Sequence, residues 1–486
     1  MSGDEPARDE ALPPGRRDTR RRAVVTLLLC ALLAAWLLTA YWQTVKPLPP
    51  GTDLASPWYP ARDSSVRFLA DVRAADAYGR PLPSEVIYAQ TLEVVRNARD
   101  FIVLDSRLSA ELADELIARR RAEPGLRVLL ITDPASVWHG RSPRADLRRL
   151  RTAGVEVVTA DLDRLRDSNF LYSSLWRIAL SWWGDDSRIG AWARFINFKS
   201  DHRRLIVADD GRGGLVGIVS SANAVRGDAA PSSVALEVRG PVLDRLLASE
   251  IAVARFSGWS GVLRVRGAAS AQTLSEQTRP PGLGTGPVAV RLLTEGAIRE
   301  ALLERIGAAG RGDSIDAAVF AISDRAIIEA LLAASSRGAT VRLILDPGAE
   351  DADSGGAAGV PNRPASSELV AASDGAISVR WFRTHGERFR DALVLVYGPE
   401  RVWLTLGSAS LTRRDLENYD LEADLAANAA RSSDLAAETI GYFETLWSNR
   451  APPGVELTAD VGVYADASQL DYWWYRFTEA TGLASY

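Results

Sequence analysis

HRRLIVADDGRGGLVGIVSSAN, residues 202–223, reads as a β-hairpin with chemistry on one face. One apolar run, LIVA, enters the turn DDGRGG, and a second, LVGIVS, returns from it. Alternate residues of a strand share a face. His202 and Arg204 therefore point together, while Leu205 and Val207 turn toward a core. Ser221 and Asn223 alternate in the same way on the returning strand. An imidazole, a guanidinium, a hydroxyl and an amide on one surface can bind a phosphate and attack it. Arg204 neutralises phosphoryl oxygens, and Ser221 and Asn223 donate hydrogen bonds to them.

The elements leading to this hairpin occur twice. In the first half a helix over Glu85–Arg99 leads to FIVLD (101–105), and a helix over Ala110–Ala122 leads to RVLLITDP (127–134). In the second half a helix over Ala297–Ile306 leads to DAAVFAI (316–322), and a helix over Arg325–Ala334 leads to VRLILDPG (341–348). Short apolar runs alternating with helical periods predict β-α-β units with largely parallel strands. ITDP and ILDP at the same place mark an internal duplication. The expected class is α/β, two similar halves with mixed sheets flanked by helices. The small, Pro- and Gly-rich stretch 267–287 reads as the linker between halves. The similar stretch 350–366 reads as a solvated loop, because its acidic residues lack the glycine and glutamate of a calcium loop.

A second hairpin follows in FRDALVLVYGPERVWLTLGSAS (389–410). Its apolar pattern survives, but Arg390 stands at the histidine position, Ala392 at the Arg204 position and Tyr397 at the Asp209 position. Gly407 and Ser408 match, and Ser410 replaces the amide.

His202-x-Arg204-x4-Asp209 with Ser220-Ser221-Ala222-Asn223 resembles the HxKx4D…GSxN signature of the phospholipase D superfamily. The segments NFKSDHRR (197–204), LRDSNFLYSSLWR (165–177), THGERF (384–389), LTRRDLENYDLEADL (411–425) and YRFTEATGLASY (475–486) resemble a membrane-anchored bacterial branch close to the cardiolipin synthases. The resemblance implies a metal-free, two-step mechanism without a cofactor. One histidine attacks phosphorus to form a phosphohistidine, and a second, from the other half, protonates the leaving alcohol. Carried over by position, His202 is the nucleophile, Arg204 replaces the family lysine, and Asp209 orients the imidazole or its partner. Ser221, Asn223, Ser408 and Arg390 are the expected phosphate-binding residues. Arg390 stays protonated and cannot act as a general acid, so the second box is expected to keep the fold and lose its chemistry. Glu237 and Glu422 are read as corresponding acids after each hairpin. His385 is given a rim role, His139 a surface loop, and Arg413 and Arg414 solvated positions. The four tryptophans between Phe170 and Phe195 are a membrane lip or a buried helix pair.

Working outward to the ends, AVVTLLLCALLAAWLLTAYW (23–42) is a charge-free run long enough to span a bilayer. Arg16, Arg17, Arg20, Arg21 and Arg22 precede it, and Lys46 is the nearest charge beyond it. The positive-inside rule puts the N-terminus in the cytoplasm and the body outside. The expected order is a cytoplasmic tail (1–22), an anchor (23–42), a tether (43–84), half one (85–266), the linker (267–287), half two (288–450) and a C-terminal segment (451–486). One cysteine and three histidines among 486 residues argue against a cysteine- or histidine-based metal site. A net charge of −5 argues against a general nucleic-acid binder. The expected partner is membrane phospholipid.

Overall fold

The computed structural model describes residues 14–75, 81–82, 84–134, 141–167, 199–227, 230–263, 287–348, 359–450, 455–464, 468–481 and 484. The chain divides into two units. The smaller comprises residues 1–46 and 167–197. It contains helix α1 (Pro14–Val45). Over Thr19–Val45 this helix is long and apolar enough to cross a membrane, and none of its most apolar window is buried.

The larger unit holds both halves, and the duplication is visible strand by strand. The strands up to residue 239 are β1 (Tyr59–Ala61), β2 (Val66–Asp71), β3 (Ala74–Ala75) and β4 (Pro81–Leu82) ahead of the first half, and β5 (Phe101–Asp105), β6 (Arg127–Thr132), β7 (Glu156–Thr159), β8 (Leu205–Asp209), β9 (Leu215–Ser220) and β10 (Ser233–Arg239) within it. The second-half strands are β11 (Val288–Thr294), β12 (Ser314–Val319), β13 (Thr340–Leu345), β14 (Ile377–Phe382), β15 (Ala392–Tyr397), β16 (Arg401–Gly407), β17 (Ala423–Ala430) and β18 (Thr458–Asp460). One sheet has the order β2-β10-β9-β8-β5-β6-β7, and the other β1-β11-β17-β16-β15-β12-β13-β14-β18. In each, the three β-α-β strands are parallel and the hairpin strands antiparallel, so both sheets are mixed.

Helices α2 (Val86–Asn97), α3 (Ala110–Ala122), α4 (Arg141–Thr152) and α5 (Val242–Phe256) belong to the first half. Helices α6 (Gly296–Ala308), α7 (Arg325–Ser336), α8 (Asn362–Ala372), α9 (Arg413–Leu416), α10 (Asp434–Trp447) and α11 (Gln469–Thr481) belong to the second half and the C-terminal segment. Several begin at residues suited to it. Ser109, Asp324 and Ser433 accept the backbone N–H three residues on, satisfying a donor the helix cannot.

Alternation along the strands sorts the core. Val207, Val219 and Leu236 of the first sheet join Leu393, Leu404 and Leu425 of the second in one buried cluster. The opposite faces pack on helices: Ile102, Leu104 and Leu130 with α2 and α3 residues, and Ile315, Leu343 and Val379 with α6, α7 and α8 residues. Layers that bury both faces of each sheet explain why the central strands read as continuous apolar runs.

The segment 43–84, read as a tether with a first packing segment, packs through β1 on β11 and β2 on β10, so it stitches both sheets together. Its extended residues satisfy edge strands that would otherwise stay open. One expectation is corrected. The end of the presumed loop 350–366 is buried, and Asn362 starts α8. Asn362 Oδ1 accepts from Ile322 N, and its Nδ2 donates to Phe320 O and Asp346 O. Almost all of the linker 267–287, His139 and the tryptophans of 176–192 lie outside the described residues.

Candidate active site

Equivalent hydrogen bonds align the two hairpin mouths. Ser221 N donates to Val234 O, and Val234 N donates to Ser221 Oγ. In the second half Ser408 N donates to Ala423 O, and Ala423 N to Ser408 Oγ. Each approach strand also bonds to the opposite half. His202 N donates to Leu421 O at 2.9 Å, and Arg390 N to Ser232 O at 2.8 Å. Arg390 therefore occupies the place of His202, as the spacing predicts, and Ser233 occupies the place of Glu422. The ITDP and ILDP aspartates have matching tasks. Asp133 Oδ2 accepts from Asp201 N at 2.5 Å, and Asp346 Oδ2 from Phe389 N at 2.7 Å. Each fixes the residue immediately before the motif position.

The His202 imidazole meets three carboxylates, all from the second half. Its Nδ1 lies 2.9 Å from Glu422 Oε1, 3.7 Å from Asp420 Oδ2 and 3.8 Å from Asp415 Oδ1. Burial opposes the imidazolium, but Glu422, Asp415 and Asp420 outweigh it and push His202 up to about 10. Glu422 is itself raised to about 8, by burial and by Asp415. The two share protons as a pair. At neutral pH the imidazole holds one, because three buried acids surround it. Among the described residues these four form the one His/acid cluster close enough to share a cation, with ligand atoms all within 4.8 Å. Its acids already accept protein donors: Glu422 from Ser408 Oγ, Asp415 from Ser410 N and Asp420 from Ser200 N. The cluster is built to hold an imidazolium.

With Nδ1 on Glu422, Nε2 on the other side of the ring is turned to the open side of the site. A cavity of about 220 Å³ opens here, lined by His202, Arg204, Arg390, Arg107 and Asn223 among others. A smaller one of about 40 Å³ adjoins it, with Ser221, Ser408 and Phe320 in its wall. The guanidiniums are braced. Arg204 Nη1 donates to Ser221 O at 2.9 Å and Ser408 O at 3.3 Å. Arg390 lies over the Phe320 ring, 4.3 Å from its centroid. Asn223 Oδ1 accepts from Ser106 Oγ and Arg107 N, which leaves its Nδ2 donor for the cavity. Fixed donors of this kind suit a phosphoryl group without reorganisation.

Residues 302–447 match the family model described as cardiolipin synthase, PLD-like domain. This segment of the second half is similar to a phospholipase D-like domain. No curated protein sequence matches the chain. Among solved structures, phosphatidylserine synthase of Haemophilus influenzae shares the fold, with a TM-score of 0.58 at 13% identity over 87% of this chain and 94% of that one. Polyphosphate kinase of Porphyromonas gingivalis aligns with a TM-score of 0.43, 14% identity, 81% of this chain and 52% of that one. The phospholipase D family member Nuc of Salmonella typhimurium aligns with a TM-score of 0.26, 19% identity, 36% of this chain and 97% of that one. The family match falls in the second half, where the apolar scaffold persists although the phospholipase D box does not.

Several site expectations change within this phospholipase D frame. Asp209 does not orient the imidazole. It sits at the far end of β8 and accepts the backbone N–H groups of Arg99, Asp100, Phe101 and Gly211. The imidazole partner is Glu422. Ser408 Oγ donates to Glu422, so it braces that acid rather than a phosphate. Glu237 does not correspond to Glu422: it lies opposite Ile218, beside Arg67 and Arg239. Arg413 and Arg414 are not solvated. Arg414 Nη1 donates to Ala484 O, and Arg413 Nη1 to Glu479 O, pinning α11 and the chain end beside Asp415. His385 Nδ1 lies 3.8 Å from Glu387, and the residue lines neither cavity. Asp415, Asp420, Arg107 and the buried Arg203 were missed. The DLENYDLE spacing of acids and the repeated DP pair were the available signals.

Proposed function

We infer that the chain is a membrane-tethered phosphodiesterase or phosphatidyltransferase that works on phospholipid through a phosphohistidine at His202. The observation carrying this reading is the His202–Glu422 pair. The ring rests as an imidazolium; once Nε2 gives up its proton, the carboxylate on Nδ1 fixes the tautomer that presents the Nε2 lone pair to the cavity and stabilises charge on the ring during attack. Arg204 and Asn223 hold the phosphoryl oxygens. Arg16, Arg17, Arg20, Arg21 and Arg22, ahead of the apolar run within α1, favour a cytoplasmic N-terminus and an extracytoplasmic body. An exposed face of α11 supports work at a lipid surface. Leu470, Trp473, Trp474 and Phe477 follow i, i+3, i+4, i+7 spacing and are 83, 65, 55 and 52% exposed. The full chain, mixed with phosphatidylglycerol or phosphatidylcholine micelles and quenched in denaturant, is expected to carry an acid-labile phosphoryl adduct on His202. His202→Ala abolishes it. No product and no adduct with any phospholipid ester would sink the reading.

A second reading is favoured by one pair of replacements. Both members of the opposite dyad are gone, with Arg390 for histidine and Ser233 for the acid. On this reading the protein binds lipid phosphate without turnover. Arg204→Ala and Arg390→Ala then weaken vesicle binding, and no product forms.

A further inference from the structure

Helix α11 has one side bonded into the second half and one side open. Tyr475, Thr478 and Glu479 are buried. Leu470, Trp473, Trp474 and Phe477 are exposed. On the buried side, Tyr475 Oη donates to Glu368 of α8 at 3.0 Å. Glu479 Oε1 accepts from Ser323 Oγ and from Arg413 N. The last carbonyls of a helix have no partners within it, and here arginines supply them. Arg413 Nη1 donates to Glu479 O at 2.7 Å and to Ala480 O at 3.3 Å. Arg414 Nη1 donates to Ala484 O at 3.0 Å. These two arginines open the four-residue helix α9, and its third residue is Asp415, which faces His202. Thr412 Oγ1 caps α9 by accepting from Asp415 N, and Ser410 N donates to Asp415 Oδ2 at 2.9 Å. Ser410, Thr412 and Asp415 also line the smaller cavity beside His202 and Arg204. Arg414 Nε lies 3.8 Å from Asp420, another of the acids near Nδ1 of His202. One short turn thus carries part of the site on one side and α11 on the other.

Tryptophan, phenylalanine and leucine along one side of a helix suit the interfacial layer of a bilayer. The chain itself brings a bilayer to hand. Thr19–Val45 is long and apolar enough to cross one, and residues 46–58, which join it to β1, extend to at most about 45 Å. Resting on the phospholipid reading above, we propose that α11 docks on the lipid surface and that docking strengthens phosphate binding at the His202 site through α9. In water the open face adds nothing to the stability of α11, and thirteen residues of helix are marginal alone. With that face in lipid the helix stays wound to its end. Its last carbonyls stay on Arg413, and Asp415 is held against His202. When the end frays, Arg413 and Arg414 lose Glu479 O, Ala480 O and Ala484 O. Arg414 then competes with His202 for Asp420 and Asp415, and the imidazolium that faces the phosphate loses its support.

The full chain is compared in a peptide belt, which offers no bilayer, and in nanodiscs of digalactosyldiacylglycerol, whose headgroup has no phosphate to compete. Calorimetry reads diethyl phosphate binding in each. The affinity is expected to be at least about fivefold higher in the nanodisc, the lower end of ordinary coupling between sites. Trp473→Ser/Trp474→Ser keeps the belt affinity and loses the gain, although α1 still anchors the chain. Arg413→Gln keeps α11 on the bilayer, read by tryptophan quenching with brominated acyl chains, and loses the gain as well. Equal affinity of the unaltered chain in belt and nanodisc overturns the inference and leaves the phosphate site and its adduct test standing. A gain that survives either variant also overturns it. So does self-association that the double variant abolishes, which makes a second copy the occupant of the open face. No binding in either medium overturns the phosphate reading and the inference together.

Discussion

His202 titrates in the field of three carboxylates, and the direction of its shift sets a pH dependence. The shift is upward, so the imidazolium persists through neutral pH and is lost as pH rises toward about 10. Diethyl phosphate remains a monoanion throughout this window. Its affinity is expected to hold through neutral pH and fall as His202 loses its charge. Glu422→Gln removes the nearest carboxylate, and the fall moves down toward the ordinary imidazole value of 6.5. Calorimetry with an NMR titration of the ring checks this, and a midpoint unmoved by Glu422→Gln would contradict it. Asp209 makes the opposite case, a motif residue whose work is structural. Asp209→Ala strands backbone donors at roughly 1–3 kcal/mol for each one left unpaired. The urea midpoint should drop while diethyl phosphate affinity stays as it was. The box spacing marks Asp209 from the sequence alone. Its partners, the N–H groups of 99–101, lie more than a hundred residues away and carry no side-chain signal.

The hairpins are positioned by what lies beneath and beside them. Arg203, 1% exposed, sits between two residues that the spacing assigns to chemistry and is itself buried. Its guanidinium donates to Glu295 Oε1 and Glu250 Oε1, each at 2.7 Å, and so joins α5 to the start of α6. Removing one partner of a buried ion pair leaves an uncompensated charge. Arg203→Met should therefore cost about 3–5 kcal/mol, and denaturant unfolding measures it. At the other end, α11 is tied to the site through Arg413 and Arg414 while its aromatic face is open. In proteoliposomes with brominated lipids, tryptophan quenching should weaken in the Trp473→Ser/Trp474→Ser double variant. Equal quenching would remove α11 from the lipid surface. Helices α2, α3, α6 and α7 were legible because they are amphipathic or follow apolar strands at regular spacing. The strand role of 59–71 was not, since an edge strand with one exposed side has a weak pattern.

The larger unit keeps two equivalent hairpin mouths while the side chains at them differ. Both halves retain the mouth hydrogen bonds, the DP aspartate and the hairpin. One dyad crosses the interface intact, and the other is a cation facing a serine. Because the cavity draws on both halves, a bound phosphate analogue should stabilise the whole unit. At a concentration a hundred times its dissociation constant the gain is about 2.7 kcal/mol. Diethyl phosphate is thus expected to raise the melting temperature, and Arg390→Ala to reduce the rise at fixed concentration. A rise unaffected by Arg390→Ala would separate the second half from binding.

The sequence by itself determined the duplication, the order of the β-α-β elements and hairpins, the apolar N-terminal span, and the asymmetry between His202 and Arg390. These are encoded locally, in periodicities and in a spacing that a strand converts into a shared face. Only the tertiary structure decided which acid serves His202. Glu422 reaches it from the other half, 220 residues along, because each hairpin mouth hydrogen-bonds across the interface. The same register revealed that the opposite acid is Ser233. A partner chosen by packing between halves leaves no mark at fixed sequence distance.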